Sequence, residues 1–436
     1  MTNSRPGPLC HLAPTTAGRV DAVVQAAVGS ALLLIGMTGA VRAQPAADSA
    51  LDARARAIHD RVLVLDAHVD VPLFYGVGHW DPGVDGDTQV DLPKMERGGV
   101  DAAVFSVAVL TGPRTPEGGA EGRRQAETLL RTIRGVAERH PDRAELALTP
   151  ADVVRIHRAG KVAVLVGLLN VYPFGDDLSA IGEYYEGGVR MLGFTHGGNN
   201  DFADSSRPGE DPPVMHGGLS ALGREAVAEL NRLGVIVDVS QLSKEAVLQV
   251  AELTRAPIVA SHSNPAGLVE HPRNLSDEEI DAIGRTGGVV HVTPYNVYLV
   301  RPPDDFAERA RAVRVRYGLP ARSETPYAGA ESLPFEERAD FVHAVDDLLT
   351  RASVAEVVDA VEYVADRIGV DHVGFGSDFN QSAQVVGWTD ASEALNVTRE
   401  LVRRGYTEEE VAKVWGGNFL RVFAEVEATA ARLQDR

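Results

Sequence analysis

His68 and Asp70 stand one residue apart at the end of an apolar run, Val62-Leu63-Val64-Leu65-Asp66-Ala67-His68-Val69-Asp70-Val71. Imidazole nitrogens and carboxylate oxygens carry protons and bind metals, and burying them bare is costly, so a cation is the usual compensation. The run is rich in β-branched residues and predicts a buried strand. Side chains two apart on a strand share a face, so Val62, Val64, Asp66, His68 and Asp70 are expected on one side. A His-x-Asp pair at the C-terminal end of an inner strand is how a parallel barrel offers two ligands to one metal. A hydrogen-bonded turn after an edge strand is the alternative for this stretch alone.

The same residue types recur at the ends of later apolar runs. Ala102–Leu110, Val162–Leu169, Val189–His196, Val235–Leu242, Pro257–His262, Gly288–Pro294 and His372–Phe379 bring the expected strands to eight. His196 ends the fourth, Gln241 lies near the end of the fifth, His262 ends the sixth, and Asp378 lies near the end of the eighth. Helical patterns separate most of them, among them Gly122–Arg139, Ala221–Leu233, Lys244–Thr254 and Ser353–Arg367. Ser276-x-x-Glu279 and Thr407-x-x-Glu410 are capping-box starts for two more. Eight strand–helix repeats predict an α/β fold of the (β/α)8 TIM-like barrel type, with the polar residues on its C-terminal face. An open doubly wound sheet is the runner-up, but no Gly-rich dinucleotide turn follows the first strand. A long insertion at about 295–351 separates the last two strands and is expected to cover part of the mouth.

The chain of 436 residues carries a net charge of −20 spread along its length, which argues against nucleic acid as a partner. Residues 1–43 read as a secretory signal: Arg5 and Arg19, an apolar stretch from Ala22 to Val41, and small residues in Val41-Arg42-Ala43. Residues 44–436 then form the single barrel domain, exported to the periplasm or the extracellular space. The stretch is nearly long enough to span a bilayer, so an uncleaved membrane anchor is the alternative. Cys10, the only cysteine, falls in the leader, so the mature protein is expected to hold no disulfide or cysteine–metal site.

The segments LDAHVDVP, GVRMLGFTHGGNNDFADS, HGGLSALGREAVAELNRLGVIVDVS, APIVASHSN, HPRNLSDE, HVGFGSDF and RRGYTEEEVAKVWGGNFLRVF together resemble the membrane dipeptidase family, peptidase family M19. The resemblance runs from about Ile58 to Val426. It implies a metal-dependent hydrolase on a (β/α)8 barrel, acting on dipeptides, including those with a C-terminal D-residue. It implies a two-zinc site in which His68, Asp70 and Asp378 match ligands of the first zinc and His262 a ligand of the second. It further implies that His196 steadies the oxyanion, Arg273 holds the substrate carboxylate, Tyr295 lines the substrate site and Asp378 moves the proton. Family members are commonly homodimers.

The chain departs from this pattern at two metal-ligand positions. Leu169 stands where the family has a bridging glutamate, and Gln241 where it has a metal histidine; Asn380, more mildly, replaces an aspartate. Leucine has no lone pair to give, and a neutral amide is a poor zinc ligand beside imidazole. One Zn²⁺ per chain is therefore expected, with His262 as a fourth ligand or a base. Asn170 and His291 are weak substitutes, one facing the wrong side and the other lying too deep. His140, His157 and His343 read as surface residues, and His216 as a loop-shaping one. The rival to the hydrolase is a non-catalytic barrel that binds a small ligand.

Overall fold

Asp101 ties the start of the first strand to the second: its Oδ2 accepts from Val64 N at 2.9 Å, and its own N–H donates to Val64 O. The computed structural model describes residues 43–71, 81–209, 211–323, 326–381 and 383–435, so the apolar Ala22–Val41 stretch lies outside them. Asp48–Arg436 forms one compact unit, which holds the sheet.

The described residues form nine strands: β1 (Leu65–Asp70), β2 (Ala102–Ala108), β3 (Ala144–Leu146), β4 (Val162–Leu169), β5 (Val189–Gly193), β6 (Ile236–Asp238), β7 (Val259–Ala260), β8 (Val289–Val292) and β9 (Val373–Phe375). All pairs are parallel, in the order β1-β2-β4-β5-β6-β7-β8-β9. A parallel bridge from Val69 to Phe379 closes the ring, with Asp70 N donating to Phe379 O at 3.1 Å and Asp378 N to His68 O at 2.9 Å. The fold is a (β/α)8 barrel. The short β3, not expected from the sequence, pairs with the first half of β4 before β5 takes over from Val166.

Alternation sorts the strands into two layers. Leu65, Ala67, Ala102, Val104, Ala163, Leu165, Met191, Ile236, Val259 and Val289 cluster with Phe419, Val422, Phe423 and Val426 of the helix Asn418–Gln434. These strand residues lie early in their strands, so that helix plugs the N-terminal end of the barrel and leaves the other end open. Val64, Ala103, Phe105, Val164 and Val166 belong to the outer cluster under the surrounding helices. Inside, space is short: a Cβ on Gly376 would lie 1.9 Å from Ser261 O, and one on Gly374 2.5 Å from the His291 ring.

One sequence expectation is corrected here. Val62 and Val64 lie in the outer cluster with Val69 and Val71, while Leu65 and Ala67 face inward. The β1–β2 register shifts between Asp66 and Val69. Such a bulge resets the side-chain parity, so His68 and Asp70 do not share a face with Val62 and Val64. Asp66 leaves the row as well: its Oδ1 accepts from His68 N at 3.1 Å and Ser377 N at 2.8 Å, stitching β1 to the end of β9.

Between β8 and β9 the chain builds helices Phe306–Arg316 and Phe335–Asp346 around a small core of Leu319, Ala330, Leu333, Phe341 and Val345. The insertion is thus a structured element with its own apolar centre. Asn296 ties its two ends: Nδ2 donates to Thr350 O at 2.9 Å and Oδ1 accepts from Ala352 N at 2.7 Å. The expected capping boxes at Ser276/Glu279 and Thr407/Glu410 are present, with a third at Ser353/Glu356. Among the described residues no helix is long and apolar enough to cross a membrane.

Candidate active site

The barrel brings His68, Asp70 and Asp378 together, one donor atom from each lying within 4.8 Å of the others. His68 Nε2 is 3.5 Å from Asp70 Oδ1 and 3.9 Å from Asp378 Oδ1, too far for hydrogen bonds. His68 Nε2 and both Asp70 carboxylate oxygens are buried with no hydrogen-bond partner among the described residues. Three orphaned donor atoms converging on one point are what a cation site looks like, and burying them otherwise would be costly. The electrostatics agree. Burial lowers the His68 pKa, but the carboxylates of Asp70 and Asp378 outweigh it and carry the imidazole up to about 9. Burial, then the charge of Asp70, push Asp378 up to about 7. Both shifts favour positive charge at this point. These residues fit a metal.

The rim that carries them is strained. Asn170, Gln241, Asp378 and Asn380 are the non-glycine residues with positive φ among those described, at 83°, 73°, 55° and 72°. Each follows the end of a barrel strand, and such backbone survives only where surroundings fix it. Asn380 is fixed by Oδ1 accepting from Gln89 N at 2.9 Å and by Nδ2 donating to Asp70 O at 2.7 Å, which positions Asp70. Asn170 spends its amide on Val109 O, Thr111 Oγ1, Tyr172 N and Asn200 Nδ2, leaving nothing for a metal.

The second set of positions is different. Leu169 points inward and is buried; a Cβ on Gly193 would meet Leu169 Cδ1 and Asp238 Oδ2 together. His262 stacks on His68 with ring centroids 3.9 Å apart, and His68, Asp238 and His262 form a second group of converging donors. Both His262 nitrogens are already hydrogen-bonded, Nδ1 to Ser261 Oγ at 2.7 Å and Nε2 to Gln241 Nε2 at 3.1 Å. Asp238 accepts from Ser240 N, Ser261 N and Ser261 Oγ. These groups satisfy one another through hydrogen bonds.

Around the centre lie the expected ligand-facing residues. His196 has a buried Nδ1 without a partner among the described residues, and burial, then the charges of Arg207 and Arg273, hold its pKa well below the usual range, so the ring is neutral. Arg273 is buried; it donates to His262 O at 3.2 Å, lies 5.7 Å from the Tyr298 ring centroid and leaves Nε without a partner among the described residues. Tyr295 stacks on Tyr298 at 4.3 Å. His291 is buried lower in the barrel against Phe419, with Nδ1 on Ala260 O. His140 and His157 pair with Asp81 and Asp101 near the surface, and His216 braces its loop through Asn200 O. Sequence reasoning passed over Arg207, Ser261 and Asp238. The last two carried a signal in their inward strand parity; Arg207, in a loop, carried none.

A converging His/Asp group at the C-terminal mouth of a (β/α)8 barrel is the arrangement that metal-dependent barrel hydrolases carry. The chain belongs to the membrane dipeptidase family, peptidase family M19, whose model matches residues 52–436. It is 40% identical to the probable dipeptidase PvdM from Pseudomonas aeruginosa, with a TM-score of 0.79 over 88% of this chain and 100% of that one. It is 30% identical to Dipeptidase tcpJ of Claviceps purpurea (strain 20.1), over 81% of this chain and 72% of that protein. A metallo peptidase from Rhodobacter sphaeroides, solved with a phosphinate mimic of L-Ala-D-Ala, shares the fold at a TM-score of 0.67 and 22% identity, covering 84% of this chain and 99% of that one.

Proposed function

We propose that this chain is an exported one-metal hydrolase that cleaves a dipeptide or a related small amide. The observation that carries the reading is the orphaned trio of His68 Nε2 and the two Asp70 oxygens, facing Asp378 in a strained rim. His68, Asp70 and Asp378 would hold the ion, with Zn²⁺ the natural choice for a nitrogen–oxygen set of this size. When bound, a divalent ion there polarises the amide carbonyl and acidifies water. The chain's own residues supply the rest. The Asp378 carboxylate takes the proton of the attacking water and delivers it to the amine nitrogen as the C–N bond breaks and the C–O bond forms. Neutral His196 donates an N–H to the oxygen that gains charge. Arg273, backed by Tyr298, receives the C-terminal carboxylate, and Tyr295 walls the site.

A second reading, a barrel that binds such a ligand without turning it over, draws on Leu169 and on the Gln241–His262 hydrogen bond. The experiment that separates the two is metal content of purified protein alongside turnover of a Gly–D-amino-acid dipeptide. About one ion per chain with turnover supports the hydrolase; an ion without turnover of any dipeptide supports the binder.

A further inference from the structure

The proposed reaction leaves one charged group unused. Arg207, in the loop after β5, reaches Gln241, and its Nη2 donates to Gln241 Oε1 at 2.6 Å. A guanidinium has donors only, so the glutamine oxygen must face it and the glutamine NH₂ must face the other way. That NH₂ donates to His262 Nε2 at 3.1 Å, which leaves the imidazole proton on Nδ1. Nδ1 in turn donates to Ser261 Oγ at 2.7 Å, and the Ser261 hydroxyl donates to Asp238 Oδ2 at 2.5 Å. Each donor in this run finds an acceptor, and its direction is set by the arginine end.

The arrangement is built rather than incidental. Gln241 is held at φ 73°, and its carbonyl accepts from Thr195 Oγ1 at 2.9 Å and Ser206 N at 2.9 Å. Ser205 donates to His196 O at 2.6 Å and bridges to Leu242, which ties the Arg207 loop to the Gln241 turn. Arg207 Nε is buried with no partner among the described residues, and its charge acts on both His196 and Asp378.

We infer that the Arg207 guanidinium is the second cation of this site: it aims the Gln241 amide at His262 Nε2, closes that nitrogen to metals and keeps the centre at one ion. A fixed positive charge beside the His68 cluster also repels a second divalent ion, and Leu169 offers that ion no compensating carboxylate. Arg207 is a positioning residue for His262. The inference deepens the one-metal reading but does not require hydrolysis.

The test counts metal, without substrate. After equilibration with excess Zn²⁺ and removal of loose ions, the single variant Leu169→Glu should still hold about one ion by elemental analysis, because Arg207 still aims the Gln241 amide at His262 Nε2. The double variant Leu169→Glu/Arg207→Ala should hold about two. Two ions in the single variant, or one in a folded double variant, would overturn the role of Arg207. Should the double variant misfold, the single Arg207→Ala serves, since it removes a half-buried loop side chain and leaves every barrel strand untouched. In ¹⁵N-histidine spectra its His262 signal should shift from a pure Nδ1–H tautomer toward a mixture, as the glutamine amide becomes free to turn over. An unchanged signal would overturn the inference. Failure to hydrolyse any dipeptide would sink the hydrolase reading and leave this one standing.

Discussion

At the scale of single residues, Asp378 sits at φ 55° beside His68 and Asp70, and the proposed function asks it to complete the cation site and carry a proton. Asp378→Asn keeps the shape and removes the charge. It is expected to weaken metal binding by more than the roughly 10–100-fold typical of losing an outer partner, checked by competition with a chelator. His291 makes a separable prediction. Burial holds its pKa near 4, against 6.5 for a free histidine, so the folded state prefers the neutral ring. That preference is fully present above pH 6.5 and is lost as pH falls toward 4, because only the unfolded chain takes up the proton in that window. It is worth about 3 kcal/mol. His291→Gln keeps a donor for Ala260 O without titrating, and should flatten the acid limb of the unfolding free energy measured with urea between pH 6.5 and 4. The sequence made His68, Asp70 and Asp378 legible because a charged or imidazole side chain at the end of a greasy strand is conspicuous. Arg207 was not legible, since an arginine in a polar loop is the commonest sight on any surface.

At the scale of elements, the site depends on strands that end early. β6 and β7 are only three and two residues long, so Gln241 and His262 lie beyond the ladder, on turns whose geometry side chains enforce. The close approach of β7 and β9 is maintained by Gly376, which faces Ser261 O directly. Gly376→Ala must push the two apart. It should cost about 1–3 kcal/mol in denaturant unfolding, in line with overpacking of a full interior, and should loosen metal binding because Ser261 and Asp378 flank the displaced backbone. A stability within about 0.5 kcal/mol of wild type would show that the barrel wall yields more easily than the contact implies. The β1 bulge escaped sequence reasoning for a related reason. Period-two alternation is a property of one strand, whereas a bulge arises from two strands accommodating each other.

At the scale of the whole molecule, the leader is expected to be removed and the barrel released outside the cytoplasm. N-terminal sequencing of exported protein should begin near Gln44; a start at Met1, or retention of Cys10, would disprove cleavage. What the sequence determined by itself was the architecture and the class of chemistry. Strand–helix alternation, capping boxes and strand-end donors are local patterns, each fixed by backbone geometry and burial within a few residues. Tertiary structure alone decided the surroundings of His262. Leu169 and Gln241 could be read as gaps against the family pattern, but what fills such a gap depends on what reaches it from elsewhere. There the fold brings Gln241, oriented by Arg207 from one loop, onto His262 Nε2, and Ser261, bonded to Asp238 of β6, onto His262 Nδ1. Such closure is a balance of donors and acceptors among side chains remote in the chain, and it exists only once the barrel has brought them together.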